Sequence, residues 1–355
     1  MSDKRNETRK IRVGGLEIGG DAAVTVQSMC NTKTWDVDAT VAQIKALRAA
    51  GCDIVRIAIA DMDAARAVSA IKEQVDMPLV ADIHFDYRLA LAAAERGIDK
   101  IRINPGNIGG EENVKAVADE CRKRGIPIRI GVNAGSLEPR LLEKYGHPCP
   151  EAMVESAAGH AAFLEKFDFN DICISMKSSS VPLTVAAYRL ASERFSYPLH
   201  LGITETGTEW NGTIQSAVGI GTLLCEGIGN TVRVSLTADP VREVSAGIAI
   251  LKAAGVRRGG VRFVSCPTCG RTEIDLISLA NKVESLVRDM DRDITVAVMG
   301  CVVNGPGEAR EADYGIAGGK NKGILFKKGK VLGTYAYDEL CPALIELIES
   351  DGQNK

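Results

Sequence analysis

Three cysteines and a glutamate near the end of the chain have the residue types and spacing of a metal-binding set. Cys266 and Cys269 form a C-x-x-C pair, and Cys301 follows 32 residues after the second of them. Glu308 lies seven residues further on, beyond the turn Asn-Gly-Pro-Gly. Thiolates are the usual ligands of iron-sulfur clusters, whereas a hard carboxylate matches such surroundings poorly and should exchange readily. The set therefore favours a four-iron cluster with one displaceable ligand.

Two other kinds of thiol site remain open from spacing alone. Structural zinc prefers four nitrogen or sulfur ligands, and no second C-x-x-C pair or nearby histidine completes such a set. A dithiol redox pair would use Cys266 and Cys269 but would leave Cys301 without a role. The spacing favours the cluster over a structural metal site without excluding the latter.

Five basic residues lie inside predicted strands, flanked by apolar residues: Arg56, Arg102, Arg129, Lys177 and Arg233. Because side chains alternate between the two faces of a strand, Arg102 shares a face with Asn104, and Arg233 with Ser235. An ion pair with a nearby carboxylate would explain any one of them. The same explanation for all five would require a carboxylate partner for each, because buried charge must be compensated. A polyanionic ligand such as a diphosphate would supply the compensation.

These residues need a scaffold of alternating strands and helices. Eight short apolar runs, each followed by an amphipathic run, predict strands over residues 23–29, 53–60, 78–83, 100–105, 127–133, 171–178, 198–204 and 231–237. Eight such units in about 235 residues are typical of a TIM (β/α)8 barrel, predicted here for residues 1–255. A doubly wound sheet is the competing fold. From residue 261 to 355 the pattern changes to a small α+β module, predicted as an iron-sulfur domain of ferredoxin-like or sulfite-reductase-like type.

Further polar residues lie at or just past the ends of predicted strands. Asp82 and His84 follow the third strand, Asn133 ends the fifth, and Glu205 follows the seventh. Barrel enzymes keep their chemistry at the C-terminal ends of the strands. We therefore expect these side chains to lie near the cations, although His84 alone could equally be a structural histidine.

Composition excludes several classes of partner. The chain has 355 residues, with 43 basic and 46 acidic side chains and a net charge of −3, which gives no general attraction to nucleic acid or to anionic membranes. No apolar stretch approaches the length of a membrane span, and the polar start MSDKRNETRK does not resemble a signal peptide. The ten cysteines are scattered through a large chain, so we expect reduced thiols in a cytoplasmic protein.

Four stretches resemble the 4-hydroxy-3-methylbut-2-enyl diphosphate synthases of the non-mevalonate isoprenoid pathway. They are HLGITE, TVRVSLTADPV, CPTCGR and GCVVNGPGEA, and the similarity extends from TRKIRVGGLEIGG to the final helix. The resemblance implies that Cys266, Cys269, Cys301 and Glu308 bind a 4Fe-4S cluster. It implies that the five strand cations bind the substrate diphosphate, and that Asp82, His84, Asn133, Glu205 and Ser235 belong to the same pocket.

The resemblance also implies a reaction. This is the reductive ring opening of 2-C-methyl-D-erythritol 2,4-cyclodiphosphate, with two electrons from a ferredoxin or a flavodoxin. Glu205 is then the candidate acid for the proton that releases water, and Glu308 is the displaceable ligand. Two rival hypotheses are a non-catalytic iron-sulfur sensor or carrier and a zinc-dependent barrel hydrolase. A sensor has no need of a five-cation pocket.

Chain direction predicts a homodimer, which the resemblance also implies. The last barrel helix returns the chain to the N-terminal face, opposite the mouth where the pocket is expected. The linker GVRRGG, residues 255–260, spans at most about 20 Å, and a barrel helix of 15 residues alone is ~22 Å long. We therefore expect the cluster module of each chain to close the barrel of its partner.

Overall fold

The computed structural model describes residues 3–288, 290–301 and 309–353. The chain divides into two units, the first ending at Arg257 and the second beginning at Arg258. Within the described residues, the first unit contains an eight-stranded parallel sheet and the second a five-stranded mixed sheet. The predicted fold class, a barrel followed by a small α+β module, is confirmed.

The first unit begins with a 3-10 helix, Lys4–Glu7, and an antiparallel hairpin of β1 (Ile11–Val13) and β2 (Leu16–Ile18). The barrel strands are β3 (Thr25–Met29), β4 (Ile54–Ala58), β5 (Leu79–Asp82), β6 (Lys100–Ile103), β7 (Ile128–Asn133), β8 (Ile172–Lys177), β9 (His200–Leu201) and β10 (Thr231–Val232). The helices are α1 (Val37–Ala49), α2 (Met62–Lys72), α3 (Tyr87–Glu95), α4 (Glu111–Arg124), α5 (Pro139–Tyr145), α6 (Pro150–Glu165), α7 (Val181–Arg194), α8 (Glu209–Cys225) and α9 (Pro240–Ala253). Each predicted strand contains one barrel strand.

The parallel sheet closes on itself. Its hydrogen-bonded order is β8-β7-β6-β5-β4-β3-β10-β9. The two end strands meet through a parallel bridge between Ile174 and Leu199, and the Ile174 N–H donates to the Pro198 carbonyl at 2.9 Å. A doubly wound sheet would leave these two strands as open edges, so that alternative is wrong.

Alternation along the barrel strands separates an apolar outer face from a polar inner face. On β6, Ile101 and Ile103 are buried in the apolar core that includes the barrel helices, whereas Lys100 and Arg102 face the barrel interior. The same division recurs on β7 and β8, whose outward residues are Ile128, Ile130, Val132, Ile172, Ile174 and Met176. Barrel interiors are usually filled with branched aliphatic side chains. This one is filled largely with polar and charged groups.

Aspartates fix the points at which the first three barrel helices begin. The Asp36, Asp61 and Asp86 side chains accept hydrogen bonds from backbone N–H groups in the first turns of α1, α2 and α3. These N–H groups have no partner within the helix, so a capping carboxylate satisfies them. Each strand is thereby followed by a short, well-defined turn at the C-terminal end of the barrel.

The N-terminal hairpin packs against the opposite end of the barrel. Ile11, Val13 and Ile18 of the hairpin are almost fully buried and form one apolar cluster with Ile54, Val80 and Cys173. Two of these partners lie at or near the starts of β4 and β5. The hairpin thus covers the N-terminal end of the barrel interior with apolar side chains.

The second unit is built on the sheet β11 (Val261–Ser265), β12 (Ile294–Met299), β13 (Tyr314–Ala317), β14 (Lys322–Lys327) and β15 (Lys330–Ala336), in that order. The first three strands are parallel, and the last two continue antiparallel. The helices α10 (Leu276–Val287) and α11 (Tyr337–Gln353) share one apolar core with the sheet, formed by Leu279, Val283, Val296, Val298, Ile316, Leu344, Ile348 and their neighbours.

Shortening a buried side chain of the hairpin should destabilise the first unit. Ile18 is fully buried, so Ile18→Ala should lower the free energy of unfolding by about 2–5 kcal/mol, as expected for a buried isoleucine that leaves a cavity. Leu16→Ala in the same hairpin strand is the control, because Leu16 is partly exposed, and it should cost less. Denaturant titration measures both. Equal midpoints for Ile18→Ala and the wild type would mean that the hairpin does not support the barrel.

Candidate active site

The structure brings the five strand cations together in one cavity of the barrel interior. The cavity has a volume of about 160 Å³ and lies toward the C-terminal ends of the strands. TIM-barrel enzymes place their active sites at this end. Its lining consists of Arg56, Asp82, His84, Arg102, Arg129, Asn133, Ser175, Lys177, Thr204, Arg233 and Ser235.

Asp82, at the end of β5, is the anionic centre of this lining. Arg102 Nη1 donates to its Oδ1 at 3.2 Å, and Arg56 Nε and His84 Nε2 lie 3.8 and 3.3 Å from its Oδ2. Burial alone would raise the pKa of this carboxyl, but the charge of Arg56, with the His84 and Arg102 contacts, holds the pKa well below its usual range. Asp82 is therefore ionised at physiological pH and fixes two of the arginines.

The other three cations have weaker compensation. Arg233 Nη2 lies 3.6 Å from Glu243 Oε2, on α9. Arg129 Nη1 donates to the side-chain oxygen of Gln27 at 3.4 Å, which is a neutral acceptor. Lys177 has no carboxylate within ion-pairing distance in the part of the chain that the structure describes. Two carboxylates thus face five cations, and the described cavity carries an excess of positive charge.

The pKa values of the cations reflect this excess. Burial lowers the pKa of Arg129 to about 10, and the neighbouring charge of Arg102 adds to the effect. Burial also lowers the pKa of Lys177 well below its usual value, and repulsion from Arg233 contributes. A bound anion would favour the charged form of each group and would reverse both effects.

Two glycines make room for the cationic side chains. A Cβ atom at Gly131, on β7, would lie 2.5 Å from Arg102 Nε, and one at Gly202 would lie 2.6 Å from Lys177 Nζ. Both distances are shorter than real Cβ contacts allow, so any larger residue would displace the cation. Glycine at these inward positions therefore lets the barrel interior hold side chains as large as arginine and lysine.

Neutral polar side chains complete the lining. Asn133 and Ser235 were predicted from their place on strand faces, and both lie at the cavity. Ser175 and Thr204 were not predicted as site residues, yet they line it too. Strand alternation could have found them, since Ser175 lies two positions before Lys177 and Thr204 two positions after Gly202.

Glu205 lies beside the cavity in sequence but not among its lining residues. It is exposed, and its φ of 56° is in the left-handed region, which a residue with a side chain seldom adopts. Backbone strain of this kind concentrates at functional sites.

The predicted thiols lie at one edge of the sheet in the second unit. Cys266 directly follows β11, and Cys301 lies two residues after β12, the neighbouring parallel strand. The backbone N–H of Gly300 donates to Cys266 Sγ at 3.2 Å, so the two strand ends are in contact. Across the described residues, no three His, Cys, Asp or Glu side chains form a metal-binding group, and Glu308 lies outside the described residues.

Cys269 is exposed and has local stabilisation of its thiolate. Hydrogen bonds from the Arg271 backbone and side chain lower the pKa of the Cys269 thiol. The Cys269 N–H donates to Thr272 Oγ1 at 3.3 Å, which holds the C-x-x-C turn in place. An accessible, readily ionised thiol is the form of cysteine that binds metal.

Family models match both units of the chain. The GcpE TIM-barrel domain matches residues 8–248, and the GcpE protein C-terminal domain matches residues 262–350. The chain belongs to the GcpE family. The resemblance seen in the sequence is thereby confirmed.

Curated relatives cover nearly the whole chain. The chain is 59% identical over 346 residues to the 4-hydroxy-3-methylbut-2-en-1-yl diphosphate synthase (flavodoxin) of Clostridium perfringens, covering 98% of this chain and 99% of the relative. It is 59% identical over 343 residues to the protein of the same name from Geobacter sulfurreducens, covering 97% of each. Among solved structures, the dihydropteroate synthase of Yersinia pestis superposes with a TM-score of 0.50 at 14% identity, over 69% of this chain and 97% of that one. At this identity the likeness concerns the fold alone.

No helix among the described residues combines the length and apolar character that crossing a membrane requires.

Substitution of Gly131 should disturb the cavity without disturbing the fold. In Gly131→Ala the new methyl group would displace the Arg102 guanidinium from Asp82, and the lost charge-assisted contact should weaken binding of inorganic pyrophosphate by roughly tenfold or more. Gly135→Ala, just beyond the same strand, is the matched control because its added Cβ meets no atom within 4 Å. Calorimetric titration of both variants measures the difference. Equal affinities would show that Arg102 is not required in its observed position.

Proposed function

We propose that this chain catalyses the reductive ring opening and dehydroxylation of 2-C-methyl-D-erythritol 2,4-cyclodiphosphate to 4-hydroxy-3-methylbut-2-enyl diphosphate in isoprenoid biosynthesis. The observation that carries the proposal is the barrel cavity, in which five cations face two carboxylates. A cyclic diphosphate, with one negative charge on each phosphorus, supplies most of the negative charge that this lining needs. The name shared by the curated relatives specifies the same product, 4-hydroxy-3-methylbut-2-en-1-yl diphosphate.

The cations would bind and orient the diphosphate. Arg56 and Arg102 are held by Asp82, so their positions are fixed before the substrate arrives. Arg129 and Lys177 have no carboxylate partner among the described residues, so their donors are available to phosphate oxygens, whose charge would favour the protonated form of each. Fixing both phosphates in this way orients the carbon that loses oxygen and keeps water away from the charged groups.

The thiols of the second unit are the proposed cluster ligands. Cys266, Cys269 and Cys301, with Glu308, would hold a 4Fe-4S cluster, which when bound would relay the two electrons of the reduction, one at a time, from the external donor. The observed contacts fit this assignment. Three soft donors follow or adjoin neighbouring strand ends, and the Gly300 N–H donates to a cysteine sulfur, as in iron-sulfur proteins.

The reduction also needs protons, because the departing oxygen leaves as water. Glu205 is our candidate for one donor. It lies four residues past β9, at the C-terminal end of the barrel, and its backbone has a left-handed φ of 56°. The assignment rests on this position and on the family resemblance.

We propose flavodoxin as the electron donor, since the names of the curated relatives specify it. We also propose a cytoplasmic location. All ten cysteines are free, as is usual in a reducing compartment. A non-catalytic iron-sulfur carrier would explain the thiols but would leave the cation-lined cavity without a purpose.

We propose that the active protein is a homodimer in which each cluster module completes the partner's barrel. The linker between α9 and β11 is short, since α9 ends at Ala253 and β11 begins at Val261. The seven residues between them span at most about 25 Å when fully extended, and a 14-residue helix such as α9 is about 21 Å long. A linker that retraced this helix would have almost no length left to cross the mouth of the barrel. Substrate and cluster would then meet between chains.

Replacing a cysteine ligand and replacing the glutamate ligand should have different effects on the iron and sulfide content. Cys266→Ser should lose most of the iron and sulfide, because only two thiolates and one readily exchanged carboxylate would remain to hold the cluster. Glu308→Ala should retain the cluster on three cysteines but reduce turnover of the cyclic diphosphate by tenfold or more. Anaerobic iron and sulfide quantitation with a flavodoxin-driven assay measures both, and Cys225→Ser, at an exposed cysteine outside the cluster set, is the control. Full activity in Glu308→Ala would contradict its role as a functional ligand.

A mixed dimer tests the shared active site. One chain carries Arg233→Ala, which damages the cavity, and the other carries Cys266→Ser, which removes the cluster. If the sites are composite, a tagged and purified heterodimer has one intact site and should recover up to about half of the wild-type activity, while each homodimer stays inactive. An inactive heterodimer with normal iron in one chain would place cavity and cluster function within a single chain.

A further inference from the structure

Below the cation-lined cavity, inward-facing residues form a second polar layer, which we call the floor layer: Thr25, Gln27, Lys100, Arg129, His200 and Thr231. Thr231 pairs with Thr25 on one side and with His200 on the other. Lys100 lies two positions before Arg102 on β6 and faces the same way. All six residues are at most 7% exposed, and Arg129 belongs to both layers because it also lines the cavity.

The floor layer concentrates buried polar atoms that have no hydrogen-bond partner among the described residues. These atoms are Thr25 Oγ1, Gln27 Nε2, Lys100 Nζ, Arg129 Nε and His200 Nε2. They come from four strands, β3, β6, β7 and β9, so no single misplaced side chain accounts for them. Folded proteins pair nearly all of their buried polar groups, and a cluster of unpaired ones indicates a bound water or ion.

The chemistry of these atoms favours an ion that only accepts hydrogen bonds. Lys100 Nζ, Gln27 Nε2 and Arg129 Nε can donate but cannot accept. The side-chain oxygen of Gln27 already accepts from Arg129 Nη1. A water molecule held by these three donors would have to direct both of its hydrogens at the two acceptors of the layer, Thr25 Oγ1 and His200 Nε2. A monatomic anion has no such requirement.

Charge leads to the same conclusion. Lys100 and Arg129 bring two positive charges to the floor layer, and Asp82 above them is occupied by Arg56 and Arg102. Burial lowers the pKa of Lys100 to about 8, which still leaves it protonated at neutral pH. A buried charge without a partner is costly. On the other side, the hairpin closes the barrel with apolar side chains and offers no compensation.

We propose that the floor layer binds one chloride ion, held by Lys100 Nζ, Arg129 Nε and Gln27 Nε2. The ion compensates the buried charge of Lys100. It also holds the Arg129 guanidinium from below, beside the contact between Arg129 Nη1 and the side-chain oxygen of Gln27. The site depends on the barrel interior alone and not on the reaction proposed above.

Bromide locates the ion directly. Wild-type crystals grown with sodium bromide in place of sodium chloride should give an anomalous difference peak within hydrogen-bonding distance of Lys100 Nζ. Ordered water at that position, with no anomalous signal, would overturn the proposal.

Thermal unfolding tests binding in solution. Gluconate is the comparison anion because it is too large for the site. At equal ionic strength and a chloride concentration several-fold above the Kd, the Tm of the wild-type protein should be about 2–4 °C higher in chloride than in gluconate. Lys100→Met and Gln27→Met should each lose most of this difference in Tm. Gln27→Met retains Lys100 and therefore still tests the site if Lys100→Met does not fold. Lys45→Met, at an exposed lysine on α1, should keep it. Equal wild-type Tm values in the two salts, or an unchanged difference in Gln27→Met, would refute chloride binding at this site.

Discussion

Like charges confined inside a barrel are the constraint on which the rest of this structure depends. Bringing several cations out of water is costly unless anions or hydrogen-bond acceptors surround them. Asp82 supplies part of that compensation by contacting Arg56, Arg102 and His84 at once. If Asp82 were neutral, the two arginines would repel each other across the cavity. Its strongly lowered pKa is therefore a condition for the shape of the site, as well as a result of it.

The barrel tolerates this interior because its stability comes from the outer face of the same sheet. Along each strand, every second residue packs into the apolar core that includes the helices, as Ile101, Ile128 and Ile172 do. The inner face is then free to carry groups that stabilise nothing by themselves. The outer face of the sheet thus provides stability, and the inner face provides binding groups. The hairpin closes one end of the barrel interior, and Gly131 and Gly202 leave space there for the cationic side chains.

Strand positions and inward-facing cations could be predicted from the sequence because both follow from a period of two residues. The hairpin could not, since three-residue strands such as Ile11–Val13 are too short to show a period. Glu243 was missed for another reason: it reaches Arg233 from α9, and the sequence does not specify which helix residue meets which strand. A weak signal existed, because Glu243 lies on the buried stripe of α9 with Val244 and Gly247. Which of the inward groups would remain unpaired, as at Lys100, depends on packing that no local pattern reports.

The five cations differ in how far nearby carboxylates neutralise them, and this difference affects which anion the cavity selects. Arg56 and Arg102 are already neutralised in part by Asp82, so a singly charged ligand would gain little from them and would leave other cations unpaired. Lys177 has no carboxylate partner in the described part of the chain, and burial favours its neutral form. An anion beside it raises its pKa, so ligand binding and protonation of Lys177 reinforce each other. Each further negative charge on one ligand compensates a further cation without an additional loss of translational freedom. The arrangement therefore favours a compact ligand that presents two separate charged phosphoryl groups to different cations, which a cyclic diphosphate has and a phosphate monoester lacks.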